Sequence, residues 1–301
     1  MTLNITAANP WFVAQVSDRR LTWAGRPYDD EANKAVVLGC RDALLLVTYT
    51  GLGYIDELRT DDWIVEVLDA NKVVRRDMGF AVEVLRQAAT DAFSRLPAPD
   101  RGAAHTFLLA GWHCRGKRQI PYIWVVSNCE DLRNGSFGCV RERFERQYRR
   151  MERDARPETV AGLVATGMQA AVDREECATV YAALHGARDG EATAAAMVGI
   201  VQRAADHPEY GRYIGRDCMV AIAPREGMGD VDCYYVGSAG GRVAYTPQIV
   251  ATGMVLRACE ITGGDLMVPA GGRAVRIRGG GRSPGGPLFG LRSQRTPPRP
   301  G

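Results

Sequence analysis

Residues 2–22 read TLNITAANPWFVAQVSDRRLT, and the way this stretch pairs with itself decides the fold. Leu3–Ala8 alternates like a β-strand, Asn9-Pro10 is a turn signal, and Trp11–Asp18 is a second β-like run. A two-residue turn at Asn9-Pro10 sets Ala8 against Trp11 and brings Thr2 opposite Ser17, one step from Asp18. Further on, Lys34–Cys40 and Ala43–Thr50 are apolar runs separated by Arg41-Asp42, the mark of a second hairpin. Its register sets Cys40 against Ala43 and Lys34 against Tyr49, two steps from Gly51. If the open ends of the two hairpins meet, a hydroxyl, a carboxylate, an ammonium and a glycine amide converge.

That combination has a chemical meaning. A threonine behind the initiator methionine is small enough for Met1 to be removed, which would leave Thr2 with a hydroxyl and a free α-amine. An α-amine with a pKa of about 7.7–8.0 suits general-base work at neutral pH. It can take the hydroxyl proton while Oγ attacks a carbonyl. Lys34 would lower the proton affinity of both groups, Asp18 would orient Lys34, and the Gly51 amide would receive an oxyanion. Each residue alone has a plainer alternative: Thr2 as a strand start, Asp18 paired with Arg19 or Arg20 on the surface, Lys34 as a solvated strand end. The joint arrangement favours the chemistry.

The next segments read as helices. Thr60 can N-cap one, with Asp61 and Asp62 in its first turn and Trp63, Ile64, Val67 and Leu68 at helical spacing. A second carries Met78, Val82, Leu85, Ala89 and Leu96 and ends before Pro97. Strands are expected at Thr106–Ala110 and Tyr122–Ser127. A charged helix is expected over about Arg141–Arg156, with Phe144, Tyr148 and Met151 facing the core. Helices at roughly Glu158–Ala171 and Gly190–Asp206 follow, then strands at Cys218–Ala223, Cys233–Ser238 and Gly253–Glu260. Such runs, not strictly alternating, point to antiparallel sheets with helices packed outside.

The chain has 301 residues and a net charge of +3, of which the segment Pro269–Gly301 carries seven arginines and no acid. Residues 1–268 therefore carry 3 − 7 = −4, and no nucleic-acid partner is expected. The tail, rich in Gly, Pro and Arg, reads as disordered. Eight cysteines without a C-x-x-C pair read as reduced thiols in a cytoplasmic protein, and neither they nor the four histidines have metal-ligand spacing. No run approaches the roughly 20 apolar residues of a membrane span, and the start does not read as a signal peptide. No metal or cofactor is expected. Gly51-Leu52-Gly53 after a strand imitates a dinucleotide-binding turn, but Asp56 replaces the third glycine. Gly279–Gly286 lacks the Lys-Ser/Thr of a phosphate loop.

Counted from Thr2 as first residue, Asp18 and Lys34 stand where proteasome β-subunits and HslV-type peptidases keep their catalytic aspartate and lysine. Ser17-Asp18-Arg19-Arg20-Leu21-Thr22 resembles the family's D-x-R-x-T motif. Thr50-Gly51-Leu52-Gly53-Tyr54-Ile55-Asp56 resembles its oxyanion turn. The chain thus resembles the N-terminal nucleophile (Ntn) hydrolases, including the stand-alone bacterial ancestral-β-subunit (Anbu) branch. The resemblance implies an α+β fold, the αββα four-layer sandwich of two antiparallel sheets with helices on both outer faces, over residues 1–268. It implies Thr2, Asp18, Lys34 and the Gly51 N–H as catalytic groups. Thr22 would lie on the substrate-pairing strand, with Arg20 beside it in the place of a structural arginine. It also implies peptide or amide substrates and a homo-oligomeric ring or stacked ring, with any ATPase partner open. One departure is that the place of the family's late serine-rich segment reads Tyr213-Ile214-Gly215-Arg216-Asp217-Cys218, without a serine. The expected function is a threonine-type hydrolase working through an acyl-Thr2 intermediate. The alternatives are a non-catalytic assembly subunit and a small-molecule amidase.

Overall fold

The computed structural model describes residues 2–23, 26–116, 118–132, 136–151, 161–225, 230–237, 240–251, 254–256, 259–261, 266–270, 273–277 and 291–293. Along the chain come strands β1 (Leu3–Ala8), β2 (Phe12–Asp18), β3 (Leu21–Trp23), β4 (Arg26–Asp29), β5 (Ala35–Gly39), β6 (Ala43–Thr50), β7 (Tyr54–Ile55) and β8 (Leu58–Arg59). Helices α1 (Thr60–Ala70), α2 (Met78–Arg95) and α3 (Ala98–Arg101) follow. Next are β9 (Thr106–Arg115), β10 (Arg118–Ser127), β11 (Glu130–Asp131), β12 (Ser136–Phe137), β13 (Glu145–Arg150) and β14 (Gly162–Gly167). Helices α4 (Arg174–Leu184) and α5 (Glu191–Asp206) precede β15 (Cys218–Pro224), β16 (Asp230–Val236), β17 (Arg242–Thr246) and β18 (Gln248–Ala251). The last described strands are β19 (Met254–Leu256), β20 (Cys259–Ile261), β21 (Leu266–Ala270), β22 (Arg273–Ile277) and β23 (Leu291–Ser293).

The larger sheet has ten strands, with the central order β14-β1-β2-β15-β16-β17, and the second has seven in the order β13-β10-β9-β6-β5-β18-β19. Strands β1, β2, β5 and β6 are buried along their whole length, so both faces are covered. Between the sheets lies a core including Ala8, Val13, Val37, Leu46, Leu108 and Trp112. Val36, Leu38 and Val47 point the other way, onto Trp63 and Leu68 of α1 and Leu85 of α2. Ile5, Phe12 and Val16 likewise meet Val180 of α4 and Met197 and Val201 of α5.

The αββα four-layer sandwich of two antiparallel sheets with helices on both outer faces does not describe this chain. Its described residues hold twenty-three strands in five sheets against five α-helices. Three of those sheets are separate two-stranded ribbons, β3-β4, β7-β8 and β11-β12. Two pairings, β5 with β18 and β16 with β22, are parallel. A hairpin enforces an antiparallel neighbour, whereas a strand that arrives from elsewhere takes the direction of its entry. Strand β18 does this: only Pro247 separates it from β17, which belongs to the other large sheet.

Two expected helices are strands. Within Arg141–Arg156, residues 145–150 form β13, at the edge of the seven-stranded sheet; residues 152–156 lie outside the described residues. Phe144 and Met151 are buried as expected, but Tyr148 is exposed and its ring lies over Trp124 with centroids 4.7 Å apart. Within Glu158–Ala171, residues 162–167 form β14, the partner of β1. Alternation of buried and half-buried residues in GLVATG is the strand signal, and the flanking alanines masked it. The glycine-rich stretch Gly279–Gly286 lies outside the described residues. Among the described residues no helix is long and apolar enough to cross a membrane.

The layer between the large sheets is graded along the strands. At the end near Trp112 it is apolar; at the other end Asn4, Ser17, Thr48, Thr50, Thr106 and Ser127 are buried polar residues. Cross-sheet hydrogen bonds tie this end together: the Asn4 side-chain amide donates to the Tyr49 carbonyl at 2.9 Å. Within the seven-stranded sheet, the Thr106 and Ser127 hydroxyls of neighbouring strands lie 2.8 Å apart.

Candidate active site

The first hairpin delivers Thr2 and Asp18 to this polar end, though in a register two residues from the expected one. Ala8 pairs with Val13 and Asn4 with Ser17. The cause is the Asn9 side chain, whose Oδ1 accepts from the Trp11 and Phe12 amides at 2.8 and 3.0 Å and widens the turn. The second hairpin pairs as expected: Gly39 faces Leu44, and the Cys40 N–H donates to the Ala43 carbonyl at 2.8 Å. Ala35 faces Thr48, so Lys34 enters the sheet beside Tyr49.

Lys34 is wholly buried and its ammonium finds three acceptors, one for each proton. They are Thr2 Oγ1 at 2.7 Å, Asp18 Oδ2 at 3.2 Å and the Arg20 carbonyl at 2.6 Å. Burial is the largest influence on this amine and holds its pKa below the ordinary lysine value, although the Asp18 carboxylate pulls the other way. Asp18, also fully buried, accepts the Leu3 amide on Oδ1 at 2.9 Å. Its Oδ2 accepts the Arg20 amide at 2.9 Å and the Gly215 amide at 3.3 Å. Three backbone donors and one cation thus compensate the buried charge.

Lys34 is anchored from behind. Asn33 donates to Asp61 Oδ2 at 2.9 Å, and Gln248 donates to the same oxygen at 2.8 Å. Arg59 closes the buried cluster on Asp61 Oδ1 at 3.1 Å. The dipeptide before β5 is therefore held by α1, β8 and β18 together.

Gly51 sits just past β6 with φ +111°, a conformation that glycine adopts freely. A Cβ there would meet the Ala104 carbonyl oxygen at 2.5 Å and His105 Nδ1 at 2.6 Å. The following amide, Leu52 N–H, donates to His105 Nδ1 at 3.0 Å. This leaves Nδ1 as the bare nitrogen of a neutral imidazole. Burial agrees, pushing the His105 pKa down to about 3. The ring stacks on Tyr49 and packs against Phe107, with centroids 6.0 and 4.5 Å away. The turn leads into the β7-β8 ribbon and not into a helix, so the dinucleotide-binding comparison fails structurally.

Two further expected residues behave differently. The Arg20 side chain forks onto Asp30, with Nε and Nη2 at 2.5 and 3.0 Å from its two oxygens, and Nη1 donates to the Gly211 carbonyl. Only its main chain enters the Lys34–Asp18 cluster. Thr22 is half-buried on β3, which pairs with β4 in its own ribbon.

Residues that the sequence did not single out hold Thr2 by its main chain. Leu3 pairs with Gly167 of β14, and the Met168 N–H donates to the Thr2 carbonyl at 3.0 Å. Gly167, at φ +84°, is pressed against Thr2: a Cβ there would lie 2.0 Å from its carbonyl oxygen. The Gly167 N–H donates to Glu130 Oε1 at 3.0 Å. The glycine at a strand end was the one available signal. Among the described residues no group of three or more His, Cys, Asp or Glu is arranged to hold a metal ion.

Chemically, Thr2 Oγ1 accepts a hydrogen bond from a buried cation, which lowers its proton affinity while leaving its own proton free to depart.

No family model and no curated protein matches the chain. Solved structures do. Anbu (ancestral beta-subunit) from Yersinia bercovieri matches with a TM-score of 0.51 at 13% identity, over 79% of this chain and 88% of that one. The helical assembly of the Anbu complex from Pseudomonas aeruginosa matches with a TM-score of 0.53 at 13% identity, over 79% of this chain and 87% of that one. The chain therefore shares a proteasome-like fold with Anbu proteins, a likeness of fold alone.

Proposed function

We propose that this protein is a threonine-type hydrolase that cleaves a peptide or amide bond through an acyl-Thr2 intermediate once Met1 is removed. The observation that carries this reading is the 2.7 Å hydrogen bond from buried Lys34 Nζ to Thr2 Oγ1, with Asp18 on the same ammonium. The Thr2 α-amine takes the hydroxyl proton as Oγ attacks the substrate carbonyl. The oxyanion is received at the Gly51 amide. Collapse of the tetrahedral intermediate breaks the C–N bond, and the proton passes to the leaving amine. Water, activated by the same α-amine, then hydrolyses the ester and restores the hydroxyl. Lys34 stays protonated and lowers the energy of the developing alkoxide; Asp18 keeps it aimed. Thr22 on β3 contributes main-chain pairing to an extended substrate, and the Arg20 fork on Asp30 supports the start of that segment.

We extend self-assembly to this chain from the Anbu complex described as a helical assembly, so a homo-oligomer is the proposed working form. The cysteines of the described residues stand as free thiols, which favours the cytoplasm as its compartment. The decisive experiment is an intact mass before and after an epoxyketone, which closes a ring on a hydroxyl and a free amine of one residue. Loss of Met1 and one adduct, abolished in Thr2→Ala, is expected. Met1 retained in material from native cells, or an adduct that survives in Thr2→Ala, overturns the proposal.

A further inference from the structure

Beneath Thr2 lies a carboxyl group that the chemistry above does not use. Glu130 is 3% exposed and stands at the start of β11, one residue beyond the loop that follows β10. Its placement is rigid. The Glu130 and Cys129 amides both donate to Ser127 Oγ, at 2.9 and 3.0 Å, and its carbonyl accepts from Arg141 Nη2 at 3.0 Å. Ser127 in turn donates to the His105 carbonyl at 3.2 Å, and His105 Nδ1 holds the Leu52 amide beside Gly51.

The carboxyl itself points to the Thr2 clamp. Oε1 accepts the Gly167 N–H at 3.0 Å, and Thr106 and Gln169 also bond to the group. The next amide along, Met168 N–H, holds the Thr2 carbonyl. Burial outweighs all three hydrogen bonds and raises the Glu130 pKa to about 7. The groups that face it are the Cys129 thiol, the Thr106 hydroxyl, Gln169 and the Gly167 amide; Arg141 meets its carbonyl oxygen and not its carboxyl. Among the described residues no cation pairs with the carboxylate, so nothing but these dipoles compensates its charge.

We propose that Glu130 is a positioning residue of the Thr2 site: its carboxyl fixes the Gly167 amide, hence the Met168 amide that grips Thr2, and its proton governs how firmly Thr2 is presented. The proposal rests on Thr2 as the nucleophile. An ionised carboxylate accepts the Gly167 N–H as a charge-assisted bond; a protonated one accepts it weakly. Presentation of Thr2 therefore tightens as Glu130 ionises. Because the α-amine of Thr2 must also be neutral, two ionisations shape the acid limb of acylation.

The test is Glu130→Gln in the full chain, which keeps length and an acceptor oxygen but removes the charge. Three measurements are made against wild type: the rate of adduct formation with an epoxyketone from pH 5 to 9, kcat and KM for a peptide substrate, and amide hydrogen exchange of residues 161–171 by mass spectrometry. The expected result is a roughly tenfold lower maximal rate, the size expected when a charge-assisted bond becomes a neutral one. KM for a peptide substrate stays unchanged, the acid limb falls from two ionisations to one, and exchange of the 161–171 segment quickens. Glu130→Asp, which keeps charge but retracts it, should regain the second ionisation without the full rate. Unchanged exchange together with an unchanged rate profile in Glu130→Gln overturns the positioning role while Thr2 stands. If wild type forms no adduct at any pH, the nucleophile assignment fails, and exchange alone decides whether Glu130 holds the clamp.

Discussion

Lys34 Nζ lies 2.7 Å from Thr2 Oγ1, and the two residues, thirty-two positions apart, are both buried. No hairpin joins them: Thr2 precedes a strand of one large sheet and Lys34 a strand of the other. The bond therefore also joins the sheets, and the Lys34 ammonium that makes it is the cation paired with Asp18.

Replacing Lys34 should cost both stability and chemistry. Lys34 as a solvated strand end, the plainer alternative, would make its replacement harmless to folding, but its full burial reverses that. Lys34→Met leaves the Asp18 carboxylate buried without its cation, which costs about 3–5 kcal/mol. Denaturant unfolding should show that loss, and the epoxyketone adduct should vanish. The double variant Lys34→Met, Asp18→Asn should regain much of the stability but none of the reactivity.

Gly51→Ala should be damaging in a different way. A side chain at φ +111° would be strained and would meet the Ala104 carbonyl oxygen. The strain costs about 1–3 kcal/mol and moves the turn. The expected outcome is a folded protein with a lower thermal midpoint and a larger loss in kcat than in KM.

His105 should act as a neutral spacer. Its folded pKa of about 3 lies below the ordinary 6.5, so between those values the unfolded chain binds the extra proton. Stability is then highest above pH 6.5 and falls as pH drops toward 3. His105→Phe should flatten that dependence. It also strands the Leu52 N–H, at a cost of about 1–3 kcal/mol at neutral pH. A pH series of unfolding curves for both proteins measures the two effects together.

Glu130 has the opposite sign. Its folded pKa of about 7 lies above the ordinary 4.5, so between those values the folded chain binds the extra proton. Stability falls as pH rises from about 4.5 to 7 and levels off above, by roughly 3 kcal/mol for an isolated group. Glu130→Gln should remove that slope and leave the His105 slope in place. A variant that kept the slope would mean that another group titrates there.

Thr2, Asp18, Lys34 and Gly51 were legible because hairpins are local. Two short apolar runs with a turn between them constrain what lies at their open ends, and an error of two residues in the first register still left Asp18 within reach of Leu3 and Lys34. The register error itself has a local cause, the Asn9 side chain, which captured two amides that a two-residue turn leaves free. The sequence did not say where the Arg20 side chain goes: its guanidinium reaches Asp30, and its carbonyl accepts from Lys34.

Strands β13 and β14 were hidden. Glu145–Arg150 is charged and edge-exposed, and an edge strand needs little apolar content. Gly162–Gly167 offers small residues whose burial depends on β1. Taking both segments as helices removed from view the strand that ends in Gly167 and with it the Met168 amide that grips Thr2.

From its own order of residues, then, this chain determined the hairpins, helices α1, α2 and α5, and the residue types able to form a nucleophile, a cation and an oxyanion turn. These follow from periodicity, turn chemistry and spacing, all short-range properties. The pairing of β1 with β14, the parallel entry of β18 beside β5, and the approach of Glu130 to Gly167 came from the packed molecule. Such contacts join segments whose separate preferences are weak, and burial of apolar faces between the sheets selects among them only when the whole chain has closed.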